Sequence, residues 1–127
     1  MSDITYIFPM KSPAKKIHQK KTGHILEQIQ TILQINDAEM AFLLEANPRT
    51  IARWVEDGPP EHYAPLIKWQ QLIELAKQTL NENSVGEWFH EPNRALGGSI
   101  PLRLAADPRG FCIVQDLLGN AAHGNPL

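Results

Sequence analysis

Residues 36–58 read NDAEMAFLLEANPRTIARWVEDG and contain two helix starts in quick succession. Asn36 followed by Glu39 has the form of a capping box, in which each side chain satisfies an orphan backbone N–H of the other residue. Asn47 repeats the cap, with Pro48 at the first helical position, where its missing N–H is harmless. Ile51, Trp54 and Val55 then supply an apolar face, and Gly58 with the Pro59-Pro60 pair closes the helix. Two short helices joined by about three residues, Glu45 to Asn47, have the spacing of a helix-turn-helix that reads DNA with its second helix.

Upstream, Ile25, Leu26, Ile29, Ile32 and Leu33 recur at helical spacing and predict an amphipathic helix ending near Gln34. Before it, Lys11, Lys15, Lys16, Lys20 and Lys21, with His18 and His24 among them, form a basic stretch that contains no acid. Pro9 and Pro13 give it the character of an extended, partly disordered arm able to neutralise phosphates. Such an arm matters here because acids outnumber bases between His24 and Gly58. Downstream of Pro65, Leu66, Trp69, Leu72, Ile73, Ala76 and Leu80 share one face of a long helix that runs to about Asn81. This stripe is either the core that joins the two halves or a dimer seam.

From Trp88 onward the chain reads WFHEPNRALGGSIPLRLAADPRGFCIVQDLLGNAAHG. Pro92 ends a short helix, Gly97-Gly98 permits a tight turn, and Ser99 is placed to cap a helix that begins near Pro101. Asp107 and Pro108 start a last helix with Phe111, Val114, Leu117 and Leu118 on its apolar face, and His123-Gly124 marks its end. Every periodic segment is helical, so the fold class is all-α. The expected organisation is a basic arm over 1–23, a helix-turn-helix segment over 24–62, a connecting or dimer helix over 63–81 and a small helical domain over 82–127.

With 127 residues, 43% hydrophobic and 20% charged, the chain suits a compact domain or two small ones that share a core. The net charge of −2 conceals the basic stretch near the N-terminus. A single cysteine, Cys112, rules out an intramolecular disulfide or a thiolate metal site, and its apolar neighbours make it read as a buried small hydrophobe. With no secretory leader and no long apolar run, the expected location is the cytoplasm, with no membrane partner. His90-Glu91 begins like a zinc-protease motif, but Arg94 occupies the position of the second histidine and Pro92 breaks the required helix. No catalytic set, metal site, phosphate loop or cofactor is expected, and the chain is not read as an enzyme.

Two resemblances cover most of the chain, from about Ile25 to Gly124. Residues 36–58 are similar to Xre-like helix-turn-helix segments, with Ala41 as the small residue between the helices, Ile51 and Trp54 at core positions and Asn47 at the cap. Glu45 departs from the glycine usual at that turn, so the backbone there must adopt a costly left-handed state or turn differently. Trp88, Pro92, Asn93, Leu96, Gly97, Gly98, Pro101, Leu102, Gly110, Val114, Leu118 and Gly124 follow the order of the C-terminal domain of the Xre/MbcA/ParS antitoxin family. Ala105-Ala106 and Asp107-Pro108 depart from that family's commoner residues.

The resemblance implies a bacterial type II antitoxin that binds a RES-domain, NAD-consuming toxin and represses its own operon; the alternative is a solitary helix-turn-helix regulator with a C-terminal dimerisation or protein-binding domain. Operator DNA would meet Lys15, Lys16, Lys20, Lys21, Asn47, Arg49, Thr50 and Arg53. The toxin would meet Arg94, Arg103 and Arg109, while Pro108 to Leu127 would block its NAD pocket, with Asn125, Pro126 and Leu127 reaching inside. Trp88, Leu96, Leu102, Val114 and Leu118 are expected in the core. A homodimer is expected because a two-fold protein matches a two-fold operator. The C-terminal part from about Asn81 is expected to suffice for toxin neutralisation.

Overall fold

Helix α1 is helical over 24–33, at the start of the described residues, which in this computed structural model are 24–124. Its C-terminus closes with two backbone bonds, Ile35 N–H to Gln30 O at 3.0 Å and Gln34 N–H to Thr31 O at 3.3 Å, with Gln34 at φ 57°. This is a Schellman closure, with glutamine in the left-handed position that glycine usually fills. Helix α2, Asp37–Leu43, starts on the complete Asn36/Glu39 capping box and ends the same way. Ala46 N–H bonds Ala41 O at 2.8 Å and Glu45 N–H bonds Phe42 O at 3.4 Å, with Glu45 at φ 58°. The chain therefore takes the left-handed route at Glu45, at a cost of about 1–2 kcal/mol that two backbone bonds offset.

Asn47 caps α3, Pro48–Asp57, by accepting from Thr50 N–H, and Pro48 opens the helix as expected. Ile51 is buried, whereas Trp54 and Val55 are half-buried. Helix α4, Ala64–Thr79, buries Leu66, Trp69, Leu72, Ile73 and Ala76, while Leu80, just past its end, is only half-buried. These side chains are covered within the chain itself, so the stripe is core and is unavailable as a dimer seam.

Helix α5, Glu82–His90, leads into a 3₁₀ turn at Arg94–Leu96. The loop after α5 is tied by an isolated bridge between Asn93 and Ser99, and Gly97 and Gly98 make its turn at φ 66° and 86°. Helix α6, Pro101–Leu104, has Ile100 rather than Ser99 at its N-cap and no side-chain cap bond. Ser99 lies one residue too early to cap; it closes the bridge instead, its carbonyl accepting from Asn93 N–H at 3.0 Å. Helix α7, Pro108–Ala122, is capped by Asp107, which accepts from the N–H groups of Arg109 and Gly110.

The buried side chains form one continuous cluster from Leu26 to Leu118. Helix α4 lies along α7: Trp69 meets the Phe111 ring edge-on at 5.4 Å, Lys68 sits over the same ring at 4.5 Å, and Leu75 faces Gly119. The expected cysteine burial fails, because Phe111 and Val114 take the inward positions and leave Cys112 and Ile113 exposed. No helix among the described residues is long and apolar enough to cross a membrane.

Gly110 is where α7 approaches α6 most closely: a Cβ there would lie 1.8 Å from the Leu104 carbonyl oxygen. Gly110→Ala should therefore force α6 and α7 apart and cost about 3 kcal/mol. Gly119→Ala, whose Cβ would have only Leu75 at 4.0 Å, should be neutral or stabilising by about 0.5–1 kcal/mol. Thermal melts followed by circular dichroism check both, and equal effects would contradict this packing.

Candidate functional site

On α3, Arg49 and Arg53 lie one turn apart and both are exposed, so they share the outward face of the second helix of the helix-turn-helix. The other two expected contacts on this helix are placed differently. The Asn47 side-chain oxygen is engaged by Thr50 N–H at 2.9 Å, and Thr50 is itself half-buried. The outward arginines are followed by the exposed acids Glu56 and Asp57, so positive charge is concentrated on the N-terminal half of the helix. Lys15, Lys16, Lys20 and Lys21 lie outside the described residues.

Between the end of α3, the 58–62 loop and the start of α4 lies an open cleft of about 740 Å³, bordered by Ile25, Arg53, Trp54, Asp57 and Leu66 among others. Glu61 and His62 also line it, and no ion pair joins Arg53, Asp57, Glu61 and His62 to one another among the described residues. Its floor is structural. Trp54 and Tyr63 pack edge to face at 5.1 Å, and the Tyr63 hydroxyl donates to the Leu44 carbonyl at the end of α2. That bond ties the helix pair to the start of α4, and the sequence pattern did not reveal it because the two residues are far apart in the chain.

In the C-terminal part, Arg94 sits in the 3₁₀ turn, Arg103 on α6 and Arg109 in the first turn of α7, and all three are exposed. The ion pairs among the described residues are His24–Glu27 and Lys77–Glu74, both at 3.5 Å, so none of the three arginines takes part in one. Arg94 borders a shallow recess of about 540 Å³ with Trp88 and Pro92, and Trp88 is half-buried rather than fully in the core. Leu96, Leu102, Val114 and Leu118 are buried. Asn125, Pro126 and Leu127 lie outside the described residues.

Two further residues join the halves. His90 Nε2 lies 2.7 Å from the Leu33 carbonyl, and Gly86 is pressed against the end of α1, where a Cβ would come within 2.6 Å of Ile32 O. Helix α5 thus covers the carbonyls that α1 leaves unpaired at its C-terminus. His90, half of an apparent metal motif in the sequence, is a structural hydrogen-bonding group, and no cluster of three or more metal-ligating side chains exists among the described residues.

Residues 75–124 match the family described as the antitoxin Xre/MbcA/ParS C-terminal toxin-binding domain. A curated relative, the probable mycobacterial cidal antitoxin of Mycobacterium tuberculosis, is 30% identical over 76 residues, which span 59% of this chain and 66% of that protein, just under two thirds of its length. Among solved structures, a chain of the M. tuberculosis MbcT–MbcA toxin–antitoxin complex superposes with a TM-score of 0.63 at 20% identity. That match covers 83% of this chain and 96% of the other, and shows a shared all-α fold.

Burial, and secondarily the Glu45 carboxylate, raise the Tyr63 phenol above the usual tyrosine range. The native state therefore holds this proton more tightly than the unfolded chain, so the stability involved is complete below about pH 10 and is lost as pH rises beyond it. Tyr63→Phe should flatten that alkaline decline and, by leaving the Leu44 carbonyl without its donor, cost about 1 kcal/mol at neutral pH. Urea midpoints measured against pH in both proteins test this; identical alkaline profiles would exclude the phenol.

Proposed function

This chain belongs, through residues 75–124, to the family that bears the Xre/MbcA/ParS C-terminal toxin-binding domain, and we propose that it is the antitoxin of a type II toxin–antitoxin system. In this reading it binds and neutralises a RES-domain, NAD-consuming toxin and represses its own operon through the α2–α3 helix-turn-helix. The observation that carries it is the set of three exposed arginines without an ion partner among the described residues, all within the matched segment. Arginine is the residue type best suited to pair with carboxylates or carbonyls of a protein partner. The chemistry belongs to the toxin, and this chain acts by covering it, with the segment after Pro108 nearest the substrate pocket.

The neutralising unit in this proposal begins with α4 rather than at Asn81. Trp69 supplies the surface on which Phe89 and Phe111 rest, so a fragment lacking α4 would expose those rings. The deciding experiment co-expresses the protein encoded by the adjoining reading frame with the full chain, with residues 64–127 or with residues 82–127. Cellular NAD and copurification are measured in each case. The full chain and the longer fragment should preserve NAD and form a complex, and the shorter should do neither. Failure of the full chain to bind or protect would overturn the antitoxin reading.

DNA binding is tested separately. If Lys15, Lys16, Lys20 and Lys21 neutralise phosphates, deleting residues before Thr22 should flatten the slope of log affinity against log salt by about 0.9 per phosphate lost. Arg49→Ala or Arg53→Ala should cost about 1–3 kcal/mol on operator DNA, and much less on unrelated DNA if the arginine reads a base. A uniform loss on all sequences would make that residue a phosphate contact.

A further inference from the structure

Residues 4–10 read ITYIFPM, a run with no charged side chain in which Ile4, Tyr6, Ile7, Phe8 and Met10 are apolar or aromatic. They precede the lysine stretch and lie outside the described residues. Neither the DNA contacts nor the toxin contacts given to this chain use them, yet side chains of this kind are stabilised wherever they can leave water.

The described residues offer a surface suited to such a run. The open cleft beside the start of α4 has Trp54 and Tyr63 on its floor and Leu66 and Ile67 along its side. Ile67 keeps 38% of its surface in solvent. Past Ile67 and Gln70 the cleft continues into a second recess of about 420 Å³ that reaches Leu75 and Gln78 along α4. The helix from Ile67 to Gln78 is about 16 Å long, and seven extended residues cover about 24 Å. An elongated open groove of this length suits an extended peptide better than a small ligand, which prefers an enclosing pocket.

The occupant is named by connection and by charge. Ile25 borders the cleft, so the chain enters α1 at the edge of this groove. Residues 11–23 can span up to about 45 Å, enough to bring the run back across a small domain about 30 Å wide. A tethered segment is presented at an effective concentration in the millimolar range, so even a weak site is filled. Asp57 and Glu61 on the rim are in no ion pair among the described residues, and the tether carries Lys15, Lys16, Lys20 and Lys21.

We propose that residues 4–10 dock in this groove of their own chain, with Phe8 against Ile67 and Trp54 and with the lysines that follow beside Asp57 and Glu61. The proposal does not depend on a toxin or on operator DNA.

The test uses the full chain. Ile7→Ala with Phe8→Ala should move the Trp54 indole N–H signal in nuclear magnetic resonance spectra and leave those of Trp69 and Trp88 in place, with Trp54→Phe identifying the signal. In a Cys112→Ser background, Phe8→Cys with Ile67→Cys should form a disulfide within one chain at least tenfold faster than Phe8→Cys with Ala95→Cys on the distant 3₁₀ turn. Reversing the rim, Asp57→Lys with Glu61→Lys, should reduce that advantage severalfold. Thermal melts confirm that each variant is folded. An unmoved Trp54 signal, or equal rates for the two cysteine pairs, would overturn the proposal. A disulfide that joins two chains would also overturn it and give the groove to a second copy. A rate indifferent to the rim reversal would overturn the part given to the lysines.

Discussion

The structure depends on Trp69. Its indole is almost wholly buried on α4, lies 6.3 Å from the Phe89 ring of α5 and 5.4 Å from the Phe111 ring of α7, and is surrounded by the aliphatic stripe of its own helix. A chain of this size buries only a modest fraction of its surface, so two separate cores would each be marginal. Helix α4 resolves this by giving one face to both halves. The helix-turn-helix leans on its start through Tyr63 and Leu66, and the C-terminal helices lean on its middle and end.

That economy leaves polar chemistry at the periphery. The exposed arginines of α3 lie in one half of the chain, and Arg94, Arg103 and Arg109 in the other. None is held by an ion pair among the described residues. Local devices set their directions: the Asn47 cap orients α3, the Asn93–Ser99 bridge orients the 3₁₀ turn, and the Asp107 cap orients α7.

Much of this was legible in the sequence because the governing interactions are local. The Asn36/Glu39 box, the Asn47-Pro48 and Asp107-Pro108 starts and the Gly97-Gly98 turn each involve residues within a few positions of one another, and each is present in the structure. What escaped was set by tertiary distance. Nothing near His90 in the chain announces Leu33 as its partner, and nothing near Tyr63 announces Leu44. Cys112 was misassigned for a related reason. Four consecutive apolar residues, Phe111 to Val114, cannot all face inward on a helix, and the choice was made by where α4 lies. Ser99 was misassigned because the helix starts at Pro101, which puts Ile100 at the cap position and Ser99 one residue before it.

The junction where α5 presses on the end of α1 bears on how such proteins can be recombined. Gly86 tolerates the Ile32 carbonyl only because it lacks a side chain, and His90 completes the hydrogen bonding of Leu33. The seam between the halves is therefore a fitted joint with parts on both sides, unlike a flexible tether. A chimera that grafts the C-terminal half of one relative onto the N-terminal half of another would have to transplant the last turn of α1 together with α5, or find a recipient whose α1 ends at the same height and angle. Wholesale exchange of halves is thus restricted by the fit at this joint.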